Sequence, residues 1–180
     1  MASIFYLGLG SNLEPRRQTL TRALEALRGH GIRIKRTSPV FETHALLPPN
    51  APPDWDRMFL NLAVACESTL SPHEILRICQ RVEKDLARRS DQPRWAPREI
   101  DIDLLIYGNQ SFQDKELTLP HPEIEKRAFV LDPLMHLDPC LQIKGRPVRE
   151  LAHKLPHEFS GHQPLWMGIL NITPDSFSDG

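Results

Sequence analysis

The chain has 180 residues, with 22 Lys and Arg against 23 Asp and Glu, for a formal net charge of −1. At roughly 100–200 residues per domain this is one domain, or one domain plus a fragment. The even balance excludes a strongly basic nucleic-acid binder and a polybasic membrane anchor, and 40% hydrophobic with 25% charged residues excludes a disordered chain. The three cysteines, Cys66, Cys79 and Cys140, have neither the even number nor the CxxC spacing of a disulfide framework or zinc site, and read as thiols in a reducing cytosol. The opening MASIFYLGLGSN has no basic n-region and is far shorter than the ~18 apolar residues that span a bilayer, so a soluble cytoplasmic protein without membrane contact is expected.

Residues 3–9 form an apolar run closed by Gly10, Ser11 and Asn12, which predicts a strand. Pro15 suits a first helical turn. Leu20, Ala23, Leu24 and Leu27 then recur at helical spacing until Gly29 and Gly31. Residues 32–42 predict a second strand interrupted at Pro39. The proline-rich stretch that follows predicts a long shaped loop. In residues 58–67, Met58, Leu60, Leu62, Val64 and Cys66 alternate with Phe59, Asn61, Ala63, Ala65 and Glu67, the clearest strand in the chain. Ser71-Pro72-His73-Glu74 is a capping box that opens a helix with the core stripe Ile75, Ile78, Cys79, Val82 and Leu86. A polar loop from Arg88 to Arg98 leads to a fourth strand, EIDIDLLIY, ended by Gly108. The order β-α-β-β-α-β predicts a ferredoxin-like α+β sandwich: a four-stranded antiparallel sheet, helices on one face, and the other face open for substrate.

The fourth strand carries the sharpest chemical signal. Asp101 and Asp103 project from one face while Ile100, Ile102 and Leu104 project from the other. Two carboxylates at i and i+2 lie roughly 6.6 Å apart along a strand. Their repulsion is relieved either by solvent, as ordinary surface acids, or by a divalent cation; Mg²⁺ takes one or two carboxylates and completes its shell with water and phosphate oxygens. Over residues 80–103 six basic groups face six acidic ones, so no net basic patch results. Arg94 and Arg98, flanking Trp95 and Pro97, still read as guanidinium forks for phosphate. Phe59 and Asn61 share a strand face and suit a planar heterocycle, the ring by stacking and the amide by paired hydrogen bonds, or else form a half-exposed sheet surface. His121, Arg127 and Phe129 form a third group in PHPEIEKRAF. No GxxxxGK[ST], HExxH or GxSxG occurs, which excludes P-loop, zincin and nucleophile-elbow chemistry.

From Ile4 to about Leu151 the chain resembles the 6-hydroxymethyl-7,8-dihydropterin pyrophosphokinases of folate biosynthesis. The resemblance rests on YLGLGSNL, on FLN at Phe59–Asn61, on RWAPREIDIDLLIYG from Arg94 to Gly108, and on LPHPEIEKRAFVLDPL from Leu119 to Leu134. It implies Mg-dependent transfer of pyrophosphate from ATP to the pterin hydroxymethyl group, leaving AMP. It further implies that Asp101 and Asp103 ligate two Mg²⁺ ions. Phe59 and Phe129 would sandwich the pterin, with Asn61 on its edge and Thr43 and Leu46 offering backbone groups. Gln80, Glu83, Trp95, Arg98, His121 and Arg127 fall at ATP-site positions, and Arg88 at a lid arginine. The sequence departs from the family pattern at Ala87, Ser90 and His44, with Arg89 a candidate replacement for a second lid arginine. Loops 44–57 and 87–97 are expected to close over substrates.

Residues 166–180 read WMGILNITPDSFSDG and resemble the opening of dihydropteroate synthase, a barrel fold of about 250 residues. The expected organisation is a pyrophosphokinase domain over 1–151, a linker over 152–165, and the start of a synthase barrel over 166–180. Covalent fusion to that synthase is expected in a longer chain, with no synthase activity from these residues alone.

Overall fold

The computed structural model describes residues 2–86, 93 and 95–155. The strands are β1 (Ser3–Ser11), β2 (Arg33–Thr37), β3 (Phe41–Thr43), β4 (Phe59–Ser68) and β5 (Asp101–Tyr107). They form one antiparallel sheet in the order β2-β4-β1-β5, with β3 also pairing with β4. Helices α1 (Arg16–Gly29) and α2 (Pro72–Asp85) connect across one face. The alternation in each strand explains the packing. Phe5, Leu7 and Leu9 of β1, Leu62, Val64 and Cys66 of β4, and Ile102 and Leu104 of β5 meet Leu20, Leu24, Leu27, Ile75, Cys79 and Val82 in a dry layer. The capping box forms as read: Ser71 Oγ accepts from Glu74 N–H, and the Ser71 N–H donates to Glu74 Oε2 at 2.8 Å.

Two expectations are corrected. The sheet has a fifth, short strand, because Pro39 splits the predicted second strand into β2 and β3. Proline has no N–H for a ladder bond. At the jog, Ser38 N–H donates to Ala63 O at 2.8 Å, and Ala63 N–H donates to Ser38 Oγ at 2.9 Å, so a hydroxyl takes the place of a backbone carbonyl.

The second face of the sheet is also not left open. Helix α3 (Ala128–Leu137) and helix α4 (Val148–Ala152) cover part of it. Here Tyr6, Ala65, Leu105 and Ile106 pack against Leu131, Leu134, Leu137, Val148 and Leu151. Buried residues occupy most sides of α3, the pattern of a helix enclosed by protein. Pro133 lies inside it. Tyr6 fastens this layer by donating from its hydroxyl to Asp138 Oδ2 at 2.7 Å, and burial pushes the phenol well above its ordinary pKa. Two small hairpins complete the domain, β6 (Phe112–Gln113) with β7 (Thr118–Leu119) and β8 (Gln142–Ile143) with β9 (Arg146–Pro147). No helix among the described residues is long and apolar enough to cross a membrane.

Because Leu131 is fully buried in this second layer, Leu131→Ala is expected to cost about 2–5 kcal/mol. A lowered urea midpoint at unchanged m-value is the expected result; an unchanged midpoint would show that α3 is dispensable to the fold.

Candidate active site

What remains uncovered on the second face is a trough across three strands. In the central strand β1, Gly8 pairs with Ala63 of β4 and with Asp103 of β5. Gly10 pairs with Asn61 on one side and Asp101 on the other. Neighbouring strands are about 4.8 Å apart, so ring and amide stand on one bank, two carboxylates on the other, and glycines between. A Cβ at Gly10 would lie 2.7 Å from Asn61 Oδ1 and 3.4 Å from the Phe59 ring. The trough therefore depends on the missing side chain. It forms the floor of a cavity of about 960 Å³, near the upper end of the ~300–1,000 Å³ typical of small-molecule sites and large enough for two substrates.

The first bank is preorganised. Asn61 Nδ2 donates to Thr43 Oγ1 at 2.8 Å, and both residues are buried. Pairing of Thr43 with Phe59 across β3 and β4 holds the three side chains in register. Phe129, in the first turn of α3, lines the same cavity, with the Arg127 guanidinium 5.9 Å from its ring centroid. Leu46 stands exposed at the rim.

The second bank is a lattice of opposite charges. Arg98 donates to Asp101 Oδ1 at 3.1 Å, and Arg127 lies 3.6 Å from Asp103 Oδ2. Both carboxylates keep about a third of their exposure, 32% for Asp101 and 34% for Asp103. Glu83 is buried, and its Oε1 accepts the Ile102 N–H at 2.7 Å. Since β5 is an edge strand, this bond satisfies a donor the sheet leaves over, and it secures the backbone between the two aspartates. His121 is fixed by its own backbone: its N–H donates to Leu105 O at 2.8 Å, and its Nδ1 accepts from Glu123 N–H at 3.2 Å. With Nδ1 accepting, Nε2 carries the proton of the neutral ring. Burial, the largest influence, and the Arg127 charge hold its pKa below the ordinary imidazole value, against the opposing pull of Asp103.

Two carboxylates alone make no closed metal cage, and no cluster of three or more His, Cys, Asp or Glu side chains suited to a metal occurs among the described residues. The donor set still fits Mg²⁺, which keeps several waters and accepts substrate phosphate oxygens alongside one or two carboxylates.

Every predicted site residue among those described lines this one cavity: Thr43, Leu46, Phe59, Asn61, Gln80 and Glu83 from the first half of the chain, and Trp95, Arg98, Asp101, Asp103, His121, Arg127 and Phe129 from the second. Arg88, together with Ala87, Arg89, Ser90 and Arg94, lies outside the described residues, as do residues 156–180 with most of the expected linker and the whole synthase-like segment. Gly8 and Gly10 were not among the predicted site residues, because their part in the site lies in side chains they lack. Lys84, likewise not predicted, also lines the cavity.

Residues 6–139 match the family model of 7,8-dihydro-6-hydroxymethylpterin-pyrophosphokinase, and the chain belongs to that family. The 2-amino-4-hydroxy-6-hydroxymethyldihydropteridine pyrophosphokinase of Methylorubrum extorquens is 43% identical over 151 residues, covering 83% of this chain and 92% of that one. The folate synthesis bifunctional protein of Chlamydia muridarum is 36% identical over 189 residues, which cover 96% of this chain but 42% of its own length. The chain thus spans about two fifths of the bifunctional relatives it matches. A crystal structure of wild-type Plasmodium falciparum HPPK-DHPS with pteroate superposes with a TM-score of 0.64 at 14% identity, covering 86% of this chain and 42% of that one. This last likeness is one of fold.

Two outcomes are expected. Gly10→Ala forces Asn61 aside, costs about 1–3 kcal/mol through overpacking, and shifts the Asn61 side-chain amide resonances; unchanged resonances would mean the trough tolerates a methyl group. For His121, a folded pKa below the ordinary 6.5 means that protonation favours the unfolded chain. Its contribution to stability is complete above that value and lost as pH falls below it. His121→Gln should therefore flatten the fall in urea-derived stability between about pH 7 and 5, whereas parallel curves for the two proteins would contradict the assigned shift.

Proposed function

We propose that the domain transfers the β,γ-pyrophosphoryl group of ATP to the hydroxymethyl oxygen of 6-hydroxymethyl-7,8-dihydropterin, on a ferredoxin-like sheet extended by β3 and α3. The observation that carries this reading is the placement of a ring-and-amide bank and a carboxylate–arginine bank on opposite sides of one glycine trough. A flat heterocycle held on the first bank presents its side arm toward a triphosphate held on the second.

The hydroxyl oxygen attacks the β-phosphorus. The bond from that phosphorus to the oxygen bridging the α-phosphate breaks, its electron pair leaves with AMP, and the hydroxyl proton passes to solvent or to Asp103. Phe59 and Phe129 orient the pterin ring. The buried Asn61–Thr43 pair offers its remaining amide and hydroxyl groups to the ring edge. Arg98 and Arg127, whose present partners are aspartates, have the fork geometry to donate to phosphate oxygens instead. His121 donates from Nε2 without adding a charge. Asp101 and Asp103 would hold two Mg²⁺ ions. When bound, these supply charge neutralisation and alignment of the triphosphate, the main requirements of a loose phosphoryl transition state. Gln80 and Trp95, at the cavity mouth, would hold the nucleoside end. Closure of the loop containing Leu46 would exclude water, which otherwise competes for ATP.

In the full-length protein this domain would be joined to a dihydropteroate synthase, as in the bifunctional relatives. Residues 1–151 would form the pyrophosphokinase and 152–165 the linker, with 166–180 opening the synthase barrel.

Asp101→Asn or Asp103→Asn should lower pterin-dependent AMP release at saturating ATP and magnesium by at least about 100-fold, within the range assigned to electrostatic stabilisation of a transition state. AMP release within a few-fold of wild type from either variant would refute the metal-holding role.

A further inference from the structure

Asn12 follows directly on β1, is 5% exposed, and does not line the cavity. Its side chain and its backbone nevertheless grip one residue that does. Asn12 Oδ1 accepts the Arg98 N–H at 2.8 Å, and the Asn12 N–H donates to the Arg98 carbonyl at 3.3 Å. Both polar groups of the Arg98 backbone are thus held by one residue, 86 positions away in sequence. The regular β1–β5 ladder ends at the Gly10–Asp101 pair, so this clamp is the next tie between the two segments. It determines where the loop residue Arg98 stands relative to Asp101.

Backbone placement matters at Arg98 because its side chain works at close quarters. Its guanidinium is 3.1 Å from Asp101 Oδ1, its Nε is 3.5 Å from Ala96 O, and the side chain is only 17% exposed. A long side chain reaches a ligand reproducibly only from a fixed root, and a displacement of about 1 Å at a positioning residue can cost 100-fold in rate. Asparagine suits the task. Its amide oxygen accepts the loop N–H without bringing a charge beside Arg98 and Asp101.

We infer that Asn12 is a positioning residue for Arg98, setting the backbone from which the guanidinium reaches the phosphate-bearing substrate. This rests on the reading of Arg98 as a phosphate ligand. Removing Oδ1 leaves the Arg98 N–H without its partner and frees the loop to drift, whereas an aspartate keeps an acceptor in place.

The test is a double-mutant cycle in the full chain, read as kcat/KM for ATP, KM for the pterin, and the Kd of a non-hydrolysable ATP analogue with magnesium. Asn12→Ala should lower kcat/KM for ATP and weaken analogue binding by about 10- to 100-fold, with pterin KM within about twofold. Asn12→Asp should recover most of the loss. In an Arg98→Ala background, Asn12→Ala should cost less than about threefold more, since residues acting through one another are not additive. Where Asn12→Ala fails to fold, Asn12→Gln, which moves the acceptor outward by one methylene, should show the same non-additivity. Additive losses, or an Asn12→Ala enzyme with wild-type kinetics beside an impaired Arg98→Ala enzyme, would overturn this inference alone. Wild-type kinetics in Arg98→Ala would overturn the phosphate role of Arg98 and this inference with it.

Discussion

The repulsion between Asp101 and Asp103 governs the design of this domain. Two carboxylates about 6.6 Å apart on one strand face repel by roughly 2.5 kcal/mol at an effective dielectric of about 20, and a fold selected only for stability has no use for them there. Around them the chain assembles compensating charge from distant segments. Arg98 comes from the loop before β5 and Arg127 from the turn before α3. Without a ligand these arginines neutralise the acids. In the proposed reaction a triphosphate would offer them better partners in its oxygens, and the acids would then need cations.

The rest of the architecture supports that exchange. Glu83 holds the edge backbone between the aspartates through Ile102. His121 is tied at both its main chain and Nδ1, so it adds a donor but no third positive charge. Gly8 and Gly10 keep the floor bare, so that the ring-and-amide bank of β4 lies across β1 from the acidic bank of β5. Helix α3 covers the second face only in part and delivers Phe129 to the cavity rim in the same stroke.

Much of this was legible in the sequence, and the exceptions have physical causes. β4 and β5 were plain because alternation over seven or more residues admits few other structures, and α1 and α2 were plain from their apolar stripes and the Ser71 box. β3 was hidden because Pro39 breaks the alternation that defines a strand. α3 was hidden because Pro133 and an apolar surface on most sides erase the amphipathic signature. Among site residues, Asp101 and Asp103 announced themselves, since charge on an apolar strand needs an explanation. The importance of Gly10 lies in an atom it does not have, and that of Asn12 in hydrogen bonds to the backbone of a residue 86 positions away. Neither leaves a pattern along the chain.

The claim at the centre is that the paired acids exchange arginine partners for cations when nucleotide arrives. A crystal structure grown with magnesium and a non-hydrolysable ATP analogue tests it most directly. The expected result is cation density joining Asp101 and Asp103 to the phosphates, with Arg98 and Arg127 moved onto phosphate oxygens. Bound nucleotide beside acids still paired with the two arginines, and no cation between them, would contradict it.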